Sequence, residues 1–473
     1  MNTMIMSLSG EAINISDSEI SKFKKSFSGQ LLTKEDKDYN EVRSIWNGMI
    51  NKHPALIARC KNSKDVSLAV KFAKNNNLLT SIRGGGHNVA GNSVCEGGLM
   101  IDLSLMNKVS VDSKMKTAKV EPGSTLGNTD LETQKYGMVV PSGIVTGTGL
   151  AGLTLGGGFG WLSRKWGLTC DHLISTEVVT AEGEIIKVNN ENNSDLFWGI
   201  KGGGGNFGIV TSFEFNLREL GPEITGGLIL YKIEDTEKIL PSYQDYISTA
   251  PNDVTTVLVY RYCPPAPFIK EKFHGTPVFG IGALYAGKAE KGLEVLKPLK
   301  QFGSPVADIV APKPFVAHQG MLDSGQPKGA CYYWKSEYTK DIPQSLSEKF
   351  VEQTLNMSSK SSIIAAFQLG GFIANIGEED TAYSFRDAGY ALNINTQWQN
   401  HSAPDEHIDW ARKTQQLSAS FSMGSGYINF ASADETQERV AATYGNNKYK
   451  KLVELKRKYD PDNFFRLNQN IKP

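Results

Sequence analysis

Glycine constrains this chain most, because it comes in clusters beside apolar runs. Ser81 to Asp102 opens Ser-Ile-Arg-Gly-Gly-Gly-His-Asn, so Gly84, Gly85 and Gly86 directly follow the run Leu78–Ile82. Glycines tolerate positive φ and let another molecule approach the backbone closely. Successive N–H groups in such a turn form a nest for anions such as phosphate. Arg83 places a fixed positive charge at the entrance, and His87 leaves the nest as a nucleophilic imidazole. Taken alone, the stretch also reads as a glycine-rich turn with a hydrogen-bonded histidine.

A second cluster spans Pro141 to Trp161, with glycines at 143, 147, 149, 152, 156, 157, 158 and 160. That density among buried-type side chains costs chain entropy unless something must press against the backbone. A third runs from Trp198 to Val210, with Gly202 to Gly205 followed by Asn206-Phe207-Gly208-Ile209-Val210. Three glycine turns, each beside a strand-like run, point to one large phosphate-bearing ligand held along its length. The dinucleotide fingerprint, a strand and helix around Gly-x-Gly-x-x-Gly with an acid about 20 residues on, is not met. A Walker loop is absent.

The chain has 473 residues, more than one ordinary core, which predicts two domains. Hydrophobic residues make up 40% and charged residues 21%, as in soluble globular proteins. Lys plus Arg and Asp plus Glu are both 50, so there is no electrostatic footprint for nucleic acid and no nucleic-acid partner is expected. No apolar run approaches about 18 residues, so no membrane span is expected. The first residues, Met1 to Asp17, lack a basic segment before a short apolar one, which predicts no signal peptide and a cytoplasmic location. Cys60, Cys95, Cys170, Cys263 and Cys331 form no Cys-x-x-Cys pair and read as structural thiols, with no metal site.

Along the chain, Asn14 to Ile50 is polar and broken, with helical hints over Ser18–Phe27. Pro54–Arg59, a helix over Lys64–Asn75 and Leu78–Ile82 predict a β-α-β unit ahead of the nest. Leu99–Leu103 is a strand, Val109–Val111 with Lys116–Val120 a hairpin, and Leu126–Tyr136 a helix. Leu173–Thr180, Ile185–Val188 and Ile209–Phe215 are strands. After Leu217 the glycine loops vanish. Ile224–Leu230, Thr256–Tyr262 and Val278–Tyr285 read as strands, Pro241–Ala250 as a helix opened by its proline, and Ala289–Gln301 as a helix weakened by Pro298. Pro343–Met357 is helical, Ser362–Ile376 and Ala388–Trp398 strand-rich, and Arg439–Lys458 partly helical. Strands with covering helices predict an α+β domain on a sheet.

The three clusters in order, with Asp195-Leu196-Phe197-Trp198 and the ending Tyr459-Asp460-Pro461-Asp462-Asn463 to Asn468-Gln469-Asn470-Ile471, resemble the berberine bridge enzyme-like flavoproteins. These belong to the vanillyl-alcohol oxidase / p-cresol methylhydroxylase superfamily of FAD-linked oxidases. The resemblance covers nearly the whole chain and is weakest from about 220 to 430. It implies an α+β fold, with a two-part FAD-binding domain of the p-cresol methylhydroxylase (PCMH) type and a substrate domain whose antiparallel sheet is covered by helices. The implied boundaries are 1–218 for the FAD-binding domain, 219–435 for the substrate domain and 436–473 for a segment returning to the first.

In that family the glycine loop binds the FAD pyrophosphate and its histidine attaches covalently to the flavin, so His87 is the implied tether. Many members carry a second tether, a cysteine in Gly-x-Cys-x-x-Val-Gly. Aligned on Gly156–Gly158, that position is Val145, which forms no thioether, so a single link is expected. The frequent Gly-Gly-His becomes Ala151-Gly152-Leu153. The resemblance further assigns cofactor contacts to Arg83 through Asn88, to Gly91 and Asn92, and to Asp102. It adds Pro122 with Gly123, then Gly147, Thr148, Gly149, Gly152 and Leu155, then Gly156, Gly157, Gly158, Gly160 and Trp161. Gly208, Ile209 and Val210 match its adenine side; Tyr444, Asn446, Asn468 and Asn470 match positions near the flavin ring.

The substrate side is less determined. A family motif Phe-x-His-Arg before a strand ending in tryptophan aligns with Phe385-Arg386 and Trp398, and the frequent acid or amide base falls at Asn393. Asparagine accepts no proton usefully, so Tyr444, Tyr427 and Tyr262 stand as alternatives, each also readable as a packed tyrosine. The implied activity is oxidation of an alcohol or similar carbon of a small organic molecule, a secondary-metabolite intermediate or a sugar. Electrons would pass to molecular oxygen with peroxide release. A dehydrogenase using another acceptor, or a flavin-binding protein with little turnover, is the alternative.

Overall fold

The computed structural model describes residues 2–399 and 403–473. The β-α-β unit is present. Helix Ser63–Asn75 starts at Asn62, whose side chain accepts from the Asp65 N–H, and buries Val66, Ala69, Val70 and Ala73. Its strands Leu56–Arg59 and Thr80–Arg83 do not pair directly, because Leu99–Asp102 lies between them, parallel to both. Gln30–Leu32 adds an antiparallel edge within the stretch expected to be broken.

A second, five-stranded sheet runs in the order Ile185–Val188, Leu173–Val179, Ile209–Asn216, Thr117–Val120, Val109–Asp112. The second glycine cluster is less strand-like than expected: its middle is a short helix, Leu150–Leu155, and helix Ser194–Ile200 precedes the third cluster.

The second half is built on one antiparallel sheet of eight strands. Its main path is Ala307–Asp308, Glu223–Lys232, Pro277–Tyr285, Val254–Tyr262, Ile363–Gln368, Tyr390–Trp398 and Cys331–Thr339, with Ala311–Pro314 also on Glu223–Lys232. Helices Thr236–Thr249, Gln344–Leu355 and Pro404–Ser418 cover one face, where Ile239, Leu240, Leu346, Phe350 and Trp410 join Leu258, Tyr260, Ile364, Leu392 and Ile394 in one core. Side chains alternate across a strand, so Val257, Val259, Ala365 and Asn393 face the other way. The fold is α+β throughout.

Several expectations shift. Pro241 lies inside helix Thr236–Thr249 rather than at its start; burying Ile239, Leu240 and Tyr243 on the sheet outweighs the one hydrogen bond a proline removes. The α-helix from Ala289 ends at Leu296 and tightens to a 3-10 turn over Lys297–Lys300, around Pro298. Ser362–Ile376 is a strand only over Ile363–Gln368. Gly370 and Gly371, at φ of 76° and 58°, then turn it into a 3-10 helix. Strand Cys331–Thr339 and helix Pro404–Ser418 are absent from the sequence reading. The strand mixes Lys335, Ser336 and Glu337 into an aromatic run and buries them all, Lys335 by pairing with Glu435 and Asp434, so neither face reads as apolar.

The chain end ties to the third glycine cluster. Lys456 Nζ, fully buried on helix Asn446–Tyr459, donates to the Asn206 carbonyl (2.8 Å), the Phe465 carbonyl (3.0 Å) and Asp460 (2.6 Å). Asp460 in turn accepts from the Phe464 and Phe465 N–H groups.

Candidate active site

A cavity of about 900 Å³ lies between the glycine turns and the open face of the large sheet. One wall is Gly84 to Asn88, Asn92, Ser93, Pro122, Thr148, Gly149, Gly152, Leu155, Gly204 to Asn206, Gly208, Ile209, Val210 and Asn468. Glycine is sterically required at Gly85, where an added Cβ would lie 2.4 Å from Gly149 Cα. At Gly152 and Gly205 a Cβ would meet nothing within 4 Å, so these backbones open onto free space.

His87 follows Gly86, whose φ of 69° turns the chain. Its ring stacks on Trp46 at 4.1 Å, and Trp46 stacks on Tyr332 at 3.7 Å. Trp46 Nε1 donates to the Gln326 carbonyl at 3.1 Å, which fixes the middle of the stack. Burial pulls the imidazole down to about 4, and its Nε2 has no hydrogen-bond partner. The ring is therefore neutral at ordinary pH, with one nitrogen lone pair to offer.

Arg83 does not stand at the cradle's entrance. It donates to the Val42 carbonyl, and its Nε lies 3.8 Å from Asp102. It lines a smaller side cavity of about 250 Å³, shared with Gly147 and His87. Asp102 draws it away: this fully buried carboxylate also holds Arg59 at 3.2 Å and Ser104, and does not face the large cavity.

Gly156, Gly157, Gly158 and Gly160 admit neighbouring protein atoms instead of lining the cavity: Asn429, the Tyr383 ring, Thr169 and the Ser142 carbonyl. Trp161 packs edge-on against His318 at 4.8 Å. Gly91 faces Ile50, and Gly123 faces the Leu103 carbonyl. Asn446 and Asn470 lie outside the lining. Val145 and Leu153 line it as apolar groups.

On the substrate side, Tyr444 and Asn393 both reach the cavity, and neither the Tyr444 hydroxyl nor Asn393 Nδ2 has a partner. Burial pushes the Tyr444 phenol up, so it stays protonated and donates rather than accepts. Tyr427 lines the cavity too, but its hydroxyl accepts from the Gly158 N–H (3.0 Å) and from Asn429 (2.9 Å). Tyr262 does not line it and reaches the Leu355 carbonyl. Phe385 stacks on Tyr338, Arg386 pairs with Asp171, and Trp398 packs with His407 on the helix-covered side.

Sequence reasoning missed Trp334, Arg261, Gln326, Asn395 and Gln397. The signal was present in part: Asn393, Asn395 and Gln397 recur at period two on Tyr390–Trp398, and all three face the cavity.

Residues 54–189 match the family described as FAD binding domain, and residues 426–472 the family described as berberine and berberine like. The chain is 31% identical to an FAD-linked oxidoreductase of Dictyostelium discoideum, over 96% of this chain and 97% of that protein. The fold superposes on 6-hydroxy-D-nicotine oxidase from Arthrobacter nicotinovorans with a TM-score of 0.84 at 26% identity, covering 95% of this chain and 98% of that one. It also superposes on glucooligosaccharide oxidase from Acremonium strictum, a protein with 6-S-cysteinyl, 8α-N1-histidyl FAD, with a TM-score of 0.83 at 23% identity over 95% and 98%. No helix among the described residues is long and apolar enough to cross a membrane.

Proposed function

The chain belongs to the berberine bridge enzyme-like family of FAD-linked oxidoreductases, and from that premise we propose that it is an oxidase holding FAD through a single covalent link at His87. The observation that carries this reading is a neutral, buried imidazole with a bare nitrogen at the end of a glycine-walled cavity. The residues fit the group. Backbone at Gly84 to Gly86 suits a pyrophosphate, open backbone at Gly152 and Gly205 leaves room for it, and the buried unpartnered atoms Ser93 Oγ and Asn468 Oδ1 await polar partners.

When bound, FAD supplies two-electron acceptance from a substrate carbon, followed by reoxidation with molecular oxygen to give hydrogen peroxide. The chain's own residues do the rest. The Trp46 stack holds the imidazole in one orientation, and burial keeps it unprotonated for attachment. Val145, aligned with the position of the family's second link, lines the cavity as an apolar group without a thiol, in keeping with one tether. Tyr444 and Asn393 offer hydrogen-bond donors to a substrate oxygen, while among the described residues no Asp or Glu lines the cavity to take a proton. In the proposed division, residues 1–218 and 436–473 hold the cofactor, 219–435 present the substrate face, and the chain acts in the cytoplasm. The small-molecule substrate is an alcohol-type intermediate or sugar, the latter in keeping with the glucooligosaccharide oxidase whose fold it shares.

Acid precipitation of the yellow protein followed by peptide mapping tests this. Flavin that stays in the pellet on the His87 peptide alone supports a single tether. Flavin released to the supernatant ends the tether reading. A second reading, a flavoprotein of little turnover or one using another acceptor, draws on the missing proton acceptor. Peroxide release with any alcohol substrate would exclude it.

A further inference from the structure

Among the described residues that line the large cavity, one carries a formal charge at neutral pH, and it is Arg261. Arg261 lies on strand Val254–Tyr262, whose alternation turns Val257, Val259 and Arg261 to the cavity and Leu258 and Tyr260 to the helix-side core. Its Nε donates to the Tyr262 carbonyl at 3.1 Å. Among the described residues, no carboxylate pairs with it and its two Nη groups have no hydrogen-bond acceptor.

The other inward arginines behave differently. Arg386 forms a forked pair with Asp171 (2.8 and 3.1 Å), and Arg164 donates to the Val254 and Leu369 carbonyls (2.8 and 2.7 Å). Arginines buried as deeply as Arg386 and Arg164 are matched in this way, because a charge left without a partner in low dielectric is costly, whereas Arg261 is half-buried and its Nη groups stay open to the cavity, where a ligand can meet them. Partial burial lowers the pKa of Arg261.

Its neighbours narrow the missing partner. Arg261 sits opposite Ile363, Ile363 opposite Asn395, and Asn395 opposite Trp334, a row across four strands. Asn395 Oδ1 and Trp334 Nε1 are buried without partners. Beyond Arg261 the chain continues through Pro264 and Pro265 into an apolar rim. We propose that Arg261 is a specificity-determining residue, anchoring a carboxylate on the substrate of this oxidoreductase. The proposal rests on the oxidase reading only for what is done to that substrate.

A planar guanidinium fork matches a planar carboxylate with two parallel hydrogen bonds. One cation balances one anionic charge, whereas a phosphomonoester dianion would leave net charge in a cavity where the described residues offer no second cation. Three strand spacings of about 4.8 Å put Arg261 roughly 14 Å from Trp334, and Trp334 meets Trp46 in the His87 stack. The carboxylate is thus an anchor remote from the tether, and the substrate an elongated acid with polar groups along its body.

The test uses holoprotein and acid/amide pairs: benzoate with benzamide, 4-phenylbutyrate with 4-phenylbutyramide, and gluconate with gluconamide. Binding is read by the flavin absorbance change and, in parallel, by thermal shift. At least one acid is expected to bind about tenfold tighter than its amide. Arg261→Gln should level the pair to within about twofold, and Arg261→Lys should keep part of the preference as a point charge without the fork. Flavin content and melting temperature of both variants report folding. Equal binding of acids and amides, a preference that survives Arg261→Gln, or no binding by any acid would overturn the proposal. So would loss of flavin from folded Arg261→Gln, which would assign the arginine to the cofactor. A colourless wild type would defeat the oxidase reading, while the acid preference would still be read by thermal shift.

Discussion

The two walls of the cavity are made of different material. The wall from Gly84 to His87, Thr148 to Gly152 and Gly204 to Val210 is largely backbone; the wall from Val254–Tyr262, Ile363–Gln368 and Tyr390–Trp398 is side chain. A backbone wall offers N–H groups at fixed positions and little that point mutation can retune, which suits a constant ligand. A side-chain wall keeps its sheet while every second residue is free to change, which suits a ligand that differs from one relative to another. Retention of the cofactor and choice of substrate should therefore respond to different substitutions.

The largest expected effect is at the seam between the halves. Arg386→Gln strips a partner from Asp171, both side chains being under 5% exposed at 3% and 4%. Leaving that carboxylate buried and unpaired should cost about 3–5 kcal/mol in chemical denaturation. A loss below about 1 kcal/mol would mean that the seam is wetter than its burial indicates.

Gly85→Ala comes next. Its Cβ would collide with Gly149 backbone at 2.4 Å, so a cost of about 2–3 kcal/mol and loss of most bound flavin are expected. Val259→Ala on the opposite wall should leave flavin content as in wild type. If both variants retain flavin equally, the distinction between the walls fails.

Asp130 sharpens the picture from outside the cavity. Its two carboxylate oxygens are buried without partners, and burial raises its pKa from 3.8 to about 8. The folded state keeps a proton that the unfolded state gives up. This stability is full below pH 3.8 and is lost as pH rises toward about 8. Asp130→Asn should thus be near neutral at the acid end and stabilise by about 2 kcal/mol at the alkaline end, less than the full shift because the amide too lacks partners. His87 titrates the other way. Its pKa falls from 6.5 to about 4, so its contribution is present above 6.5 and lost as pH falls through 4. A protein without bound flavin should therefore lose stability over that acid window, and His87→Gln should flatten the slope.

The smallest effect is expected at Asn395→Ala: KM raised about fivefold, with kcat and flavin content nearly unchanged, the loss of about one hydrogen bond to a ligand. A change confined to kcat would move Asn395 from the substrate wall to the reacting centre.

Legibility in the sequence followed the same division. Gly84 to Gly86 and His87 stood out once the three glycine clusters and the chain's ending were taken together, since the first run alone also fits an ordinary turn. Helix Ser63–Asn75 followed from the period of Val66, Ala69, Val70 and Ala73, and the hairpin Val109–Asp112 with Thr117–Val120 from two short strand-like runs before Pro122-Gly123. Strand Cys331–Thr339 was not readable, since it carries Lys335 and Glu337, which are buried only because partners distant in the chain, Glu435 and Arg439, pair with them. Nor was Arg83's role: its charge looked suited to a phosphate cradle until the parallel pairing of Thr80–Arg83 with Leu99–Asp102 put Asp102 beside it. Likewise Gly156 to Gly160 looked like more of the cradle, but they make room for Asn429, Tyr383 and Thr169. A glycine reports that something comes close, not whether it is ligand or protein.

By itself the sequence determined where backbone had to stay bare, which histidine follows the first bare turn, and that valine stands at position 145, because these depend on residue type and spacing alone. The tertiary structure decided which glycines face the cavity, that His87 is neutral and stacked on Trp46, and that Arg261 stands in the cavity without an acid. Those properties arise from burial and from pairings between residues far apart in the chain, such as Arg261 with Ile363 and Ile363 with Asn395, and no local pattern encodes them.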